Sequence, residues 1–235
     1  MRSACWSFGE IMSNIKKIVA VLLCLSIVAL SGCGGKDEQV QNISYGFKFP
    51  VALYDGVVIE ECYLYSGEYV EDGSFDPCEN VAAIKVKNSS TTDIQLLRVY
   101  VKTESDELFF EITTLTAGST IVVLEQSKKT IAENEEIIEI RGDNRVDFSE
   151  KLSLCEDTFL VQGNPKTINI KNITKKSVDS SVAIYYKKKD ADGNYFGGIT
   201  FRAVANGVAA GAIKQLPASG FDPADSEIVF VDYAG

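Results

Sequence analysis

The sequence contains no histidine. That removes the commonest general base and the commonest zinc ligand, and with them every serine or cysteine triad that relays protons through an imidazole. No Ser-x-x-Lys follows residue 33, so a lysine-activated serine is missing as well. The one tryptophan is Trp6, at the N-terminal end. Positive charge is in deficit, with 23 basic against 33 acidic residues and a net charge of -10, which disfavours nucleic acid and anionic lipid as partners. Apolar residues are not lacking: at 46% hydrophobic and 10% aromatic the composition is that of a folded protein rather than a disordered one.

No apolar run is long enough to remain in a bilayer as a helix. The one near the N-terminus, Ile18 to Leu30, would reach only about 20 Å at ~1.5 Å per residue, against a hydrocarbon core of about 30 Å. Lys16 and Lys17 precede it and Leu30-Ser31-Gly32-Cys33 closes it, the order of an export signal. Those four residues resemble the bacterial lipobox. The resemblance implies cleavage before Cys33, a diacylglyceryl thioether on its sulfur, and attachment to a membrane through the buried acyl chains. Residues 1–32 are then a lipoprotein signal peptide, and residues 33–43, rich in glycine and polar residues, a lipidated flexible tether. Met1 to Ile11 include Glu10 and stand ahead of the basic segment, so a start at Met12 would give the same mature chain. Loss of Arg2, Lys16, Lys17 and Glu10 with the leader moves the net charge to -12.

After the tether the hydrophobic period is two. Ile84 and Val86 alternate with lysines, Leu97, Val99 and Val101 with Arg98, Tyr100 and Lys102, and the pattern returns at Phe110 with Ile112, at Ile168 with Ile170, and at Val182, Ile184 and Tyr186. Such runs are half-buried strands. Asp55-Gly56, Asp72-Gly73, Ala117-Gly118, Asp192-Gly193 and Ala210-Gly211 supply turns between them. No segment carries a convincing helical period.

The pattern also repeats. Ile84 to Asn88, the strand around Val99, Leu108 to Ile112, Ala117-Gly118 and a closing Ile137 to Ile140 recur as Asn169 to Asn172, Val182 to Tyr186, Tyr195 to Phe201, Ala210-Gly211 and Ile228 to Val231. Asn88 and Asn172 are 84 residues apart, about the length of one β-sandwich module of ~100 residues. The sequence therefore predicts an all-β chain of two tandem modules, residues 44–142 and 150–235, with a linker in the polar stretch from Arg141 to Glu150. One larger sandwich built from both halves is the alternative. The pattern resembles the immunoglobulin-like or fibronectin-like modules of bacterial surface lipoproteins, over most of residues 80–235. It implies a fold and no catalytic residue, and the antibody-type Cys, Trp and Cys spacing is absent.

The remaining motifs point to little chemistry. Glu133, Glu135 and Glu136 cluster, but glycosidase chemistry needs two carboxylates facing each other across a cleft, and the cluster reads as a solvated turn. Asp190-Ala191-Asp192-Gly193-Asn194 begins like a calcium loop, but its glycine comes too early and a hairpin turn accounts for it. Arg141-Gly142-Asp143 matches an integrin-binding tripeptide inside the expected linker, and the sequons at Asn88 and Asn172 read as turn openers. Cys62 and Cys78 are candidates for a disulfide outside the cytoplasm, with Cys155 left over or bridged to Cys78. Tyr63, Tyr65, Tyr185, Tyr186, Tyr195 and Phe196 would form either core or a stacking surface.

The expectation is an exported, membrane-anchored, non-catalytic binding or scaffold lipoprotein that contacts another envelope protein, with no metal and no cofactor. A glycan-binding accessory module for cell wall or host sugars is the second reading, and a carboxylate hydrolase the third.

Overall fold

The computed structural model describes residues 47–132 and 134–234. The signal peptide, Cys33, the tether and Glu133 lie outside the described residues. Among those described the chain is all-β, with no helix. In the first half the strands are β1 (Val51–Tyr54), β2 (Val57–Tyr69), β3 (Asp76–Asn88), β4 (Ile94–Thr103), β5 (Glu107–Leu115), β6 (Thr120–Leu124) and β7 (Ile137–Asp147). In the second they are β8 (Phe159–Asn164), β9 (Thr167–Asn172), β10 (Val178–Lys189), β11 (Tyr195–Val208), β12 (Ile213–Pro217) and β13 (Ser226–Tyr233).

Each half packs two layers face to face. In the first, β2, β3 and β6 turn Ile59, Cys62, Ile84, Val86 and Val123 onto Leu97, Val99, Val101, Phe110 and Ile112 of β4 and β5. In the second, Ile168 and Ile170 of β9 meet Val182, Ile184 and Tyr186 of β10, with Ala203 and Ala205 of β11. The inward residues are the alternating apolar ones, because side chains of a strand point to opposite faces and only one face leaves water. Each such large side chain, once buried, contributes roughly 1.5–3 kcal/mol.

The pairing repeats with the sequence. β3 lies between β2 and β6, as β9 lies between β8 and β12, and β4 lies between β5 and β7, as β10 lies between β11 and β13. Asn88 and Asn172 occupy the same place in the two copies. Asn88 Nδ2 donates to the carbonyls of Thr92 (2.9 Å) and Leu115 (3.1 Å), while its Oδ1 accepts from Ser90 N and Oγ. Asn172 Nδ2 donates to the carbonyls of Lys176 (2.8 Å) and Val208 (3.0 Å), and its Oδ1 accepts from Thr174 N and Oγ1. Both side chains are fully buried, so these bonds replace the water they lost.

The halves are joined by a sheet. β6 and β11 pair in parallel, Ile121 beside Tyr195 and Val122 beside Phe196, giving one seven-stranded sheet in the order β1-β2-β3-β6-β11-β10-β13. The described residues all belong to a single compact unit. The stretch expected to be a linker is strand as far as Asp147: β7 pairs with β4 along its length, with Arg141 opposite Tyr100, Gly142 opposite Val99 and Asp147 opposite Ile94. Its polarity misled because β7 is an edge strand with only Ile137 buried, and an edge tolerates charge on both faces. The Arg141-Gly142-Asp143 tripeptide is thus held in a sheet, with Arg141 over the Tyr100 ring at 4.1 Å and 3.3 Å from Glu107.

Candidate functional site

The outer faces of β4 and β5 and those of β10, β11 and β13 do not meet flush. Between them lies a cleft of about 680 Å³. Gln95, Leu96, Thr113 and Val146 line its first wall, and Tyr185, Ile199, Thr200, Phe230 and Asp232 its second. Phe148, just past the end of β7, closes one end with its ring edge-on to Phe230 at 5.5 Å, and Phe230 stacks on Tyr185 at 4.2 Å. Beyond Phe148 the surface continues as a second hollow of about 410 Å³ along Ser149 to Ser153.

Hydroxyls fasten the floor. Thr113 Oγ1 donates to Gly198 O at 3.0 Å, and the Thr200 hydroxyl donates back to the Thr113 carbonyl. β11 can approach β5 this closely only at a glycine: a Cβ on Gly198 would sit 1.9 Å from the carbonyl oxygen of Glu111. Gly197, with φ +87, has Val70 where its Cβ would be, at 2.3 Å, so at Gly197-Gly198 the β11 backbone meets both a side chain and a backbone carbonyl of the first half.

Behind that floor are two buried ionisable groups. Glu71 follows β2 and its carboxylate accepts from Leu124 N (2.8 Å), Gly198 N (2.8 Å) and Ile199 N (3.3 Å). Lys187, fully buried on β10, donates to Gly197 O (3.3 Å), Gly198 O (3.0 Å) and Ile199 O (3.0 Å). Burial drives the Glu71 carboxyl up, opposed by its N–H donors and by Lys187, and pushes the Lys187 ammonium down to about 7, opposed by Glu71. Glu71 thus ties β11 to the end of β6, and Lys187 binds β11 alone, so the two position the strand that forms the cleft floor.

The residues singled out in the sequence fall elsewhere. Cys62 stands opposite Ile84 in the first core, whereas Cys78 stands opposite Gly67 in a separate cluster with Tyr63, Tyr65 and Val122. Along the hairpin that register separates them by several residue pairs, far beyond the roughly 4.4–6.8 Å between Cα atoms that a disulfide spans. The expected Cys62–Cys78 bridge is therefore not formed, and both thiols are free, as is Cys155, whose Sγ lies 3.5 Å from Val231 O. A bridge from Cys78 to Cys155 is absent too. Of the aromatic set, Tyr63, Tyr65, Tyr186 and Tyr195 are buried and only Tyr185 reaches the cleft.

Glu135 ties down the β4–β5 turn, accepting from Ser105 Oγ, from Thr103 Oγ1 at 2.5 Å and from Ser105 N at 2.9 Å, and these donors hold its carboxyl down at about 2. Asp190 closes the β10–β11 turn by accepting from Asn194 N at 2.8 Å and Nδ2 at 3.0 Å. Neither carboxylate lines the cleft.

Sequence reasoning missed Phe148, Phe230, Thr113, Thr200 and Asp232, and also Glu71 and Lys187. Lys187 sits in a run of three lysines and looks solvated; the one available signal was the Gly197-Gly198 doublet opposite it. The cleft presents aromatic rings, hydroxyls, an amide and one carboxylate, Asp232, with no second carboxylate among its lining residues. Comparison of the chain with protein-family models, with curated proteins and with solved structures finds no match.

Proposed function

We propose that this protein is an exported lipoprotein, anchored to a membrane through lipid on Cys33, which binds a segment of another envelope protein in the cleft between its halves and carries out no reaction there. The observation that carries the reading is the cleft itself, with three aromatic rings at one end, hydroxyls along its floor and a single carboxylate at its rim. Aromatic side chains beside adaptable polar groups are the usual anchors of protein recognition. A glycan module has less support, because it would need exposed stacking faces, and four of the tyrosines expected to provide them are buried while the Tyr185 ring is stacked on Phe230.

The test is a pull-down with soluble residues 36–235 against solubilised envelope proteins and, separately, against cell walls freed of protein. Retention of one discrete protein, lost with Tyr185→Ala or Thr200→Trp, is the expected result. Co-sedimentation with bare walls would instead promote the glycan reading. Binding left intact by both cleft variants would remove the cleft from the function. The anchor is tested apart, by Cys33→Ala, which should release the protein from membranes.

A further inference from the structure

The two copies differ at one edge. In the first half β1 hairpins back along β2 through Asp55-Gly56, with Tyr54 opposite Val57 and Val51 opposite Ile59. The second-half counterpart of β2 is β8. The chain that precedes β8 does not fold back along it but runs beside β13, where Val231 N donates to Ser153 O at 2.8 Å. The sheet there is β12-β9-β8, and among the described residues no strand pairs with the outer side of β8.

The direction of its backbone groups follows from the register. Asn164 and Thr167 flank the two-residue turn Pro165-Lys166 and pair with each other, so Asn164, Gln162 and Leu160 direct N–H and C=O toward β9. Val161 and Gly163 therefore direct theirs outward. Exposed edges are normally blunted by charge, proline or a cover. β7 carries Glu139, Arg141, Asp143, Arg145 and Asp147, and β12 carries Lys214 and Pro217. β8 reads Phe-Leu-Val-Gln-Gly-Asn with no charge, and Leu160 on its outer face is 60% exposed. Ile213, aligned with it across Lys171, is 65% exposed.

We infer that the outer edge of β8 pairs antiparallel with β8 of a second copy of this chain, about a two-fold axis at Val161. The edge is complementary to itself. In that register Leu160 of each copy lies beside Gln162 of the other, and Phe159 lies opposite Gly163. Glu156 and Asp157, in the turn that leads into β8, lie at the end that faces Lys166 of the other copy, and all three side chains are exposed. Any one-residue shift would set outward-facing backbone groups against inward-facing ones, so the alternation fixes the axis on a residue rather than between two. The two three-stranded sheets would become one of six, an isologous contact that closes on itself. This pairing uses neither the cleft nor Cys33, so it stands or falls apart from the function proposed above.

The test is site-directed cross-linking of the full chain, with Leu160→Cys and Gln162→Cys introduced together into a Cys155→Ser background. Opposed residues of a non-hydrogen-bonded antiparallel pair lie about 4.5 Å apart at Cα, within disulfide reach. A covalent homodimer on oxidation is expected, lost when Val161→Pro is added to remove the outward N–H. Purified wild type should sediment as a dimer and Val161→Pro as a monomer with the same melting temperature. Failure of the cysteine pair to cross-link two copies, or a cross-link that survives Val161→Pro in a folded protein, would overturn the inference. Should Val161→Pro not fold, the cysteine pair decides alone. A covalent adduct with a different protein and no homodimer would also overturn it, and would assign the edge to a foreign strand.

Discussion

Glu71 and Lys187 hold the two polar groups of one residue: the Gly198 N–H donates to the Glu71 carboxylate at 2.8 Å, and the Gly198 carbonyl accepts from the Lys187 ammonium at 3.0 Å. Glu71 also accepts from Leu124 N on β6 and Ile199 N, and Lys187 also donates to the carbonyls of Gly197 and Ile199. Together they fix β11 where it leaves its parallel pairing with β6 and begins to form the cleft floor.

Removing one of them leaves the other charged group buried and short of its counter-charge, at a cost of about 3–5 kcal/mol. Glu71→Gln and Lys187→Met should each lower stability by that order in denaturant unfolding. The double variant should lose less than the two single losses combined, since a neutral pair no longer strands a charge. Strict additivity would show that the two groups act independently.

The same pair predicts a pH dependence. Lys187 titrates at about 7 in the folded chain but near its ordinary 10.5 when unfolded, so between those values the unfolded state binds the extra proton. Stability contributed by this site should therefore rise with pH across that window, by on the order of 1–4 kcal/mol. The raised Glu71 carboxyl acts in the opposite sense, favouring the fold below about 4.5 and losing that contribution as pH rises through its folded value. Unfolding measured from pH 7 to 10 should show the rise in wild type and a flat profile in Lys187→Met. A rise that persists in the variant would assign it to other groups.

The two buried asparagines should be worth similar amounts. Asn88→Ala removes the amide donor from the Thr92 and Leu115 carbonyls and the acceptor of Ser90 N, and Asn172→Ala removes the donor from the Lys176 and Val208 carbonyls and the acceptor of Thr174 N, which costs roughly 1–3 kcal/mol. Chemical denaturation of each variant checks this. A loss confined to one copy would mean that only one of the turns depends on its amide.

Thiol labelling separates the cysteines. Burial pushes the Cys62 thiol up to about 12 and raises Cys78 and Cys155 less far. Cys155 should react first in the native protein and Cys62 only on unfolding, and the melting temperature should be unchanged by reductant. A reductant-dependent melt would require a bridge that the strand register does not allow.

How much was legible in the sequence depended on the range of the physics involved. Side chains of a strand alternate between faces every residue, so Leu97, Val99, Val101, Val182 and Ile184 declared their burial, and the turn glycines declared the ends. The repeat needed only order and spacing, so Asn88 and Asn172 could be matched before their hydrogen bonds were seen. The lack of an apolar period misled at β7 beyond Ile140, where edge pairing by backbone alone needs no apolar face.

Local pattern thus determined the all-β class, the strands and their repeat, because each is decided by residues a few positions apart. Tertiary structure alone decided the parallel join of β6 to β11, the separation of Cys62 from Cys78, the burial of Lys187 and the cleft around Phe148, Tyr185 and Phe230. Those features bring together residues far apart in the chain, such as Glu71 and Ile199, 128 positions from each other. Contacts at that distance depend on which sheet edges meet, and no periodicity in the chain encodes that.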